Sequence, residues 1–112
     1  MIDAALIEAA RGCRGILSEK KALDILLLDL RKINSYIDFM IICTASSKMH
    51  ARSLARDIKK EMPGYAYGSG VQSSDESDWT LLDYGFMTVN IFTFEAREFY
   101  ALDRLWGDAG KL

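Results

Sequence analysis

Histidine, cysteine and excess charge are all scarce in this chain, and each scarcity excludes something. One histidine and two cysteines in 112 residues offer no ligand spacing for a structural zinc site. Cys13 and Cys43 lie 30 positions apart, each inside an apolar stretch, and are read as buried free thiols, which suits a reducing compartment such as the cytoplasm. Fourteen basic and sixteen acidic residues leave a net charge of -2. Broad, nonspecific affinity for nucleic acid needs a basic excess, so RNA contact is expected to be peripheral at most. No apolar run approaches the roughly 20 residues of a membrane span, and Asp3 and Glu8 stand where a signal sequence would be apolar. Neither a membrane nor a secretory role is expected. Gly68-Ser69-Gly70 lacks the lysine and hydroxyl that follow in a phosphate-binding loop.

What is present is apolar material in ordered stretches. Half of the residues are hydrophobic, enough for one core, and the length predicts a single domain over residues 1–112. Ile2, Ala5, Leu6, Ala9, Cys13, Ile16 and Leu17 mark one face of a helix, with Gly15 a possible early end. Ala22 to Leu30 and Phe39 to Thr44 read as buried strands. Ser46 or Ser47 caps a helix whose inner stripe is Ala51, Leu54, Ala55, Ile58 and Met62, stopped by Pro63-Gly64. Tyr65 to Gln72 reads as a weak edge strand and Ser73 to Asp78 as a mobile acidic loop. Trp79 to Trp106 predicts strand, Gly85 turn, strand and a closing helix with Phe99, Leu102 and Trp106 as its apolar stripe. Residues from Gly107 onward read as a frayed tail. Helices interleaved with strands predict an α/β (α+β) fold, with a single mixed sheet of four to five strands flanked by helices.

Candidate chemistry is thin. Ser47 and His50 are three apart on one helix, but a hydrolase needs an orienting acid and an oxyanion site as well; a cap and a surface histidine explain both residues. Thr44-Ala45-Ser46-Ser47 leads into a helix N-terminus that can hold an anion. Nucleotidyl transfer also needs clustered carboxylates for a divalent metal, and Tyr65 to Gln72 has none. No metal, cofactor or catalytic residue is therefore assigned. Asp83-Tyr84-Gly85 near Trp79 mixes aromatic and charged groups on a rigid sheet. Two readings stand: a protein-binding surface, or Trp79 and Tyr84 packed beneath helices.

Four blocks in order resemble the ribosomal silencing factor, or Iojap, family. They are Asp24-Ile25-Leu26-Leu27-Leu28-Asp29-Leu30; Tyr36 to Thr44 with the serines and His50 that follow; Asp78-Trp79-Thr80-Leu81-Leu82-Asp83-Tyr84-Gly85 with Thr88 to Phe92; and Arg97 to Trp106. The resemblance spans about residues 2 to 108. It implies a nucleotidyltransferase-like topology without the catalytic carboxylates, and no enzymatic activity. It implies a translational repressor that binds a protein on the joining face of the large ribosomal subunit and blocks the small subunit sterically when nutrients are scarce. It also implies a possible homodimer. Trp79 and Tyr84 are then the candidate anchors for the ribosomal protein, with Asp83, Arg97 and Tyr100 supporting, and Asp75, Glu76, Asp78 and Asp83 complement a basic partner. Gln72-Ser73, Phe86 and Asn90 depart from the usual family residues; the changes remove acid and base groups, which fits binding better than catalysis. The alternative is a nucleotidyltransferase-like protein or enzyme that binds nucleotides.

Overall fold

The computed structural model describes residues 2–33, 36–63, 72–76, 78–107 and 109–112. Helix α1 (Ile2–Glu19) runs through Gly12 and Gly15 without ending. Ala10, Cys13 and Leu17 on its inner face are fully buried, and that burial outweighs the ~1 kcal/mol each glycine costs. The helix closes in a Schellman turn: the Ala22 N–H donates to the Leu17 carbonyl (2.9 Å) and the Lys21 N–H to that of Ser18 (3.1 Å). Lys21 takes the left-handed conformation (φ 71°) usually left to glycine.

Strands β1 (Leu23–Asp29) and β2 (Phe39–Thr44) follow, then helix α2 (Lys48–Glu61), β3 (Gln72–Glu76), β4 (Trp79–Asp83) and β5 (Met87–Phe92). Helices α3 (Phe94–Tyr100) and α4 (Leu102–Leu105) and a two-residue strand, β6 (Gly110–Lys111), complete the order. The sheet runs β3-β4-β5-β2-β1-β6. Among the described strands, only β2 and β5 are parallel, in register from Phe39 opposite Met87 to Thr44 opposite Phe92; the other pairs are antiparallel. The α+β mixed sheet is therefore as expected, with the short β6 added at one edge.

Strand alternation sorts the apolar residues onto two faces. Leu27, Phe39, Ile41, Cys43, Leu82, Val89 and Ile91 meet α1 and α2 in the main core. Leu28, Met40, Ile42 and Phe92 face the other way and form a smaller core with Leu30 and Ala96, edged by Trp79, Leu102 and Trp106. Turn chemistry joins β4 to β5: Gly85 has φ 88°, and its N–H donates to Asp83 Oδ1 at 2.8 Å.

Three local expectations are corrected. The expected acidic loop is strand β3 from residue 72 to 76, paired with β4 from Gln72 opposite Asp83 to Glu76 opposite Trp79. Strand propensity yields here to a partner that offers a full ladder of backbone groups. The expected frayed tail is β6: Gly110 and Lys111 pair with Asp29 and Leu28, and the Leu112 N–H donates to the Leu27 carbonyl at 3.0 Å. It covers backbone groups that β1 otherwise leaves unpaired on that side. The closing helix breaks at Ala101 (φ 49°), so the stripe Phe99–Leu102–Trp106 does not exist; Phe99 is 81% exposed. The expected strand from Tyr65 lies outside the described residues up to residue 71.

Candidate functional site

The carboxyl ends of the parallel pair, β2 and β5, lie at the same end of the sheet as the start of β4. Thr93 caps α3 there, its side chain accepting from the Ala96 N–H at 3.4 Å. Its own N–H donates to the Asp78 carbonyl at 3.1 Å, which ties the start of β4 to the start of α3. Trp79 and α3 are thereby held side by side. The Trp79 ring lies 4.7 Å from Tyr100 and 5.1 Å from Phe92, centroid to centroid. Phe99 stands edge-on to Tyr100 at 5.1 Å.

Trp79 is half-buried and oriented from below. Its Nε1–H donates to Asn90 Oδ1 at 3.1 Å. Asn90 is buried, and its amide donates in turn to the Ile41 carbonyl and Thr88 Oγ1, both at 3.2 Å. All four groups are satisfied, so the indole is fixed in one orientation. On the α3 side of the cluster, Asp78, Glu95, Ala96, Phe99 and Tyr100 line a hollow of about 300 Å³. Lys48 reaches Asp78 at 3.5 Å across exposed surface.

Arg97 points to the other side of α3 and acts as a clamp. Its Nη1 donates to the Asp24 carbonyl (2.6 Å) and Thr44 Oγ1 (3.1 Å), and its Nη2 to Asp103 (3.4 Å). Asp24 sits in a left-handed conformation (φ 47°) where the β1–β2 register shifts between Leu23 and Leu26. The guanidinium therefore holds an irregular strand start, the end of β2 and α4 together.

The five sequence-derived candidates thus divide. Trp79 and Tyr100 are brought into contact, with Arg97 on the same helix as Tyr100. Asp83 and Tyr84 lie at the opposite end of β4, about 13 Å along the strand. Tyr84 is a correction: it is 2% exposed, and its hydroxyl donates to the Met62 carbonyl at 2.6 Å, fastening the β4–β5 turn to the end of α2. A phenol spent on a buried bond is core, not contact surface. Asp83 uses one oxygen on the Gly85 turn. Sequence reasoning missed Phe99, because its helical spacing to Leu102 implied burial. Only the break at Ala101 turns it outward.

The Ser47–His50 pair is structural. Ser47 Oγ accepts the His50 backbone N–H at 3.0 Å as the α2 cap. The imidazole Nε2 lies 3.0 Å from the Lys20 carbonyl, an acceptor only, so Nε2 carries the proton and Nδ1 accepts from the Ser46 N–H at 3.0 Å. The ring pins the end of α1 to the start of α2. Burial pushes the Cys13 and Cys43 thiols up to about 12, helped at Cys13 by its neighbour Cys43, and both are free. Among the described residues, no group of three histidine, cysteine or acidic side chains is placed to hold a metal ion, and no helix is long and apolar enough to cross a membrane.

The fold and this end of it define a small α+β domain that presents an aromatic surface edged by carboxylates. Comparison with known proteins is more specific: the chain belongs to the family described as ribosomal silencing factor during starvation, whose model matches residues 3–112. The ribosomal silencing factor RsfS of Bacillus subtilis is 36% identical over 106 residues, covering 90% of this chain and 83% of the relative. A mouse protein named mitochondrial assembly of ribosomal large subunit protein 1 is 25% identical over 95 residues, which is 81% of this chain and 42% of that protein. A crystal structure of a Chromobacterium violaceum protein superposes with a TM-score of 0.80 at 26% identity, over 89% of this chain and 84% of the other.

Proposed function

We propose that this protein represses translation by binding a protein on the joining face of the large ribosomal subunit, so that its body occupies space the small subunit needs. Family membership supports the ribosomal reading, and the name of the mouse relative supports the large subunit. The observation that carries the contact surface is the aromatic cluster at the α3 end of the sheet. Phe99 and Tyr100 are exposed beside a fixed Trp79, with Asp78 and Glu95 on the rim of the hollow. Rigid aromatics supply binding energy at low entropic cost, and the carboxylates steer a basic partner toward them. Trp79 and Tyr100 serve as anchors, joined by Phe99. Arg97 acts as a positioning residue behind them, and Asp83 contributes from the far end of β4. The mechanism is non-covalent.

Sucrose-gradient sedimentation with separated ribosomal subunits tests this reading. The protein is expected to travel with the large subunit and to shrink the joined peak when small subunits are added. A protein that stays at the top of the gradient while subunits join normally overturns the proposal.

A further inference from the structure

We infer that the open hollow where α1 ends and α2 begins is a docking site for an acidic segment of a second protein, held by aliphatic anchors between carboxylates. Lys20, Lys21, Leu23, Met49, His50 and Ser53 are among the residues that line this hollow of about 590 Å³, and none of its lining side chains is a carboxylate. Leu23 is 41% exposed and Met49 79% exposed. Neither packs into the two cores, yet both converge on one concavity.

Local backbone geometry puts Leu23 there. Lys21 (φ 71°) and Asp24 (φ 47°) are left-handed on either side of it, and the β1–β2 register shifts between Leu23 and Leu26. Such conformations persist only where neighbours hold them. Arg97 Nη1 holds the Asp24 carbonyl at 2.6 Å, and His50 Nε2 holds that of Lys20 at 3.0 Å. The Ser46 N–H donates to the other ring nitrogen, also at 3.0 Å. The end of α1, the start of β1 and the start of α2 are thus tied together. The walls are set before a partner arrives, which lowers the ordering cost of binding.

Charge selects the occupant. Lys20 and Lys21 are exposed, and among the described residues neither forms an ion pair. The N-terminus of α2, a 14-residue helix, opens on the same hollow with no acidic residue in its first turn, so its dipole adds positive potential. Carboxylates are therefore favoured at the rim, and aliphatic side chains between Leu23 and Met49, where the flexible thioether adapts to the shape it meets. A phosphate backbone gains nothing from those two apolar groups. A small molecule is enclosed on most sides in its site, whereas this hollow is open, as a surface for a laid-on segment is. The hollow beside Trp79 has the opposite rim, Asp78 and Glu95, so the two hollows call for partners of opposite charge.

A phage library of random 16-residue peptides, panned against the purified protein, tests the inference. Enriched peptides are labelled and followed by fluorescence anisotropy. They are expected to be net negative, with leucine, isoleucine or methionine at i and i+3 or i+4. Met49→Ser is expected to weaken them about fivefold or more. Lys20→Gln with Lys21→Gln is expected to weaken them about two- to fivefold, a loss that shrinks as salt rises. Phe99→Ala is expected to leave them unchanged. If the double variant does not fold by circular dichroism, Lys20→Gln alone carries the charge test. The inference is overturned if no peptide is enriched, if the enriched peptides are basic or lack aliphatic residues, or if Met49→Ser binds them as tightly as wild type. It is also overturned if mixed-sequence RNA displaces them as well as unlabelled peptide does, which assigns the hollow to phosphate. Peptide occupancy that falls as protein concentration rises assigns it to a second copy of this chain and overturns the inference too. Sedimentation with large subunits is read separately, so the ribosomal reading and this one fail independently.

Discussion

The two faces of the sheet are finished differently. One is sealed by α1 and α2, which bury a continuous core from Ala10 to Ile91. The other is covered only in part by two short helices, and its aromatic groups spill onto the surface: Phe92 is buried, Trp79 half-buried, Tyr100 46% exposed and Phe99 81% exposed. The sealed face has closed over its apolar groups, and its helices show solvent a charged exterior. The open face keeps apolar area in reserve beside a rigid strand, which is where a partner gains most from contact.

The contrast is broken most severely from the sealed side. Ile41→Ala, at a fully buried position of the central parallel pair, is expected to cost about 2–5 kcal/mol, read as a fall in the urea midpoint with the slope unchanged. Trp79→Phe sits at the boundary. It keeps an aromatic ring but leaves the buried Asn90 Oδ1 without its donor, which costs about 1–3 kcal/mol of stability. A stability equal to wild type would mean that the indole bond is not holding the ring.

Phe99→Ala sharpens the comparison on the open side. Stability is expected to stay within about 0.5 kcal/mol, while binding to large subunits weakens by more than 1 kcal/mol, about fivefold or more. A variant that unfolds, or that binds as tightly as wild type, removes Phe99 from the contact surface. The smallest effect is at the β6 edge. Arg31 binds Asp29 through two side-chain bonds (2.9 and 2.7 Å) and holds its carboxyl below the usual range. A depressed folded-state value contributes stability above the unfolded value, lost as pH falls through the folded one. Asp29→Asn should lower neutral-pH stability by only ~0.2–1 kcal/mol, since the pair is solvent-accessible. Its melting temperature should also depend less on pH below about 4.

Much of this was legible in the residues. The strand, turn and strand read from Trp79 onward are β4 and β5, joined at Gly85. A serine cap at Ser46 or Ser47, Gly85 as a turn and the inner stripe of α2 depend on neighbours in sequence and were readable; the structure puts the cap at Ser47. Four elements were not. Lys21, Asp24 and Ala101 adopt left-handed conformations without glycine, so no local signal marks them. Residues 72–76 became a strand only because β4 offers them a ladder. The tail paired only because β1 has an open side, and Tyr84 went inward only because the end of α2 lies over it, with the Met62 carbonyl as acceptor.

The sequence by itself determined the alternating faces of the strands, the inner face of each long helix and the helix cap, because periods of two and 3.6 residues are local properties of the chain. Tertiary structure alone decided which aromatics are buried and which are presented. Trp79, Tyr84, Phe99 and Tyr100 have similar apolar character in sequence. Their exposure depends on which distant backbone lies above each ring: the end of α2 over Tyr84, and the broken α3–α4 segment beside Trp79.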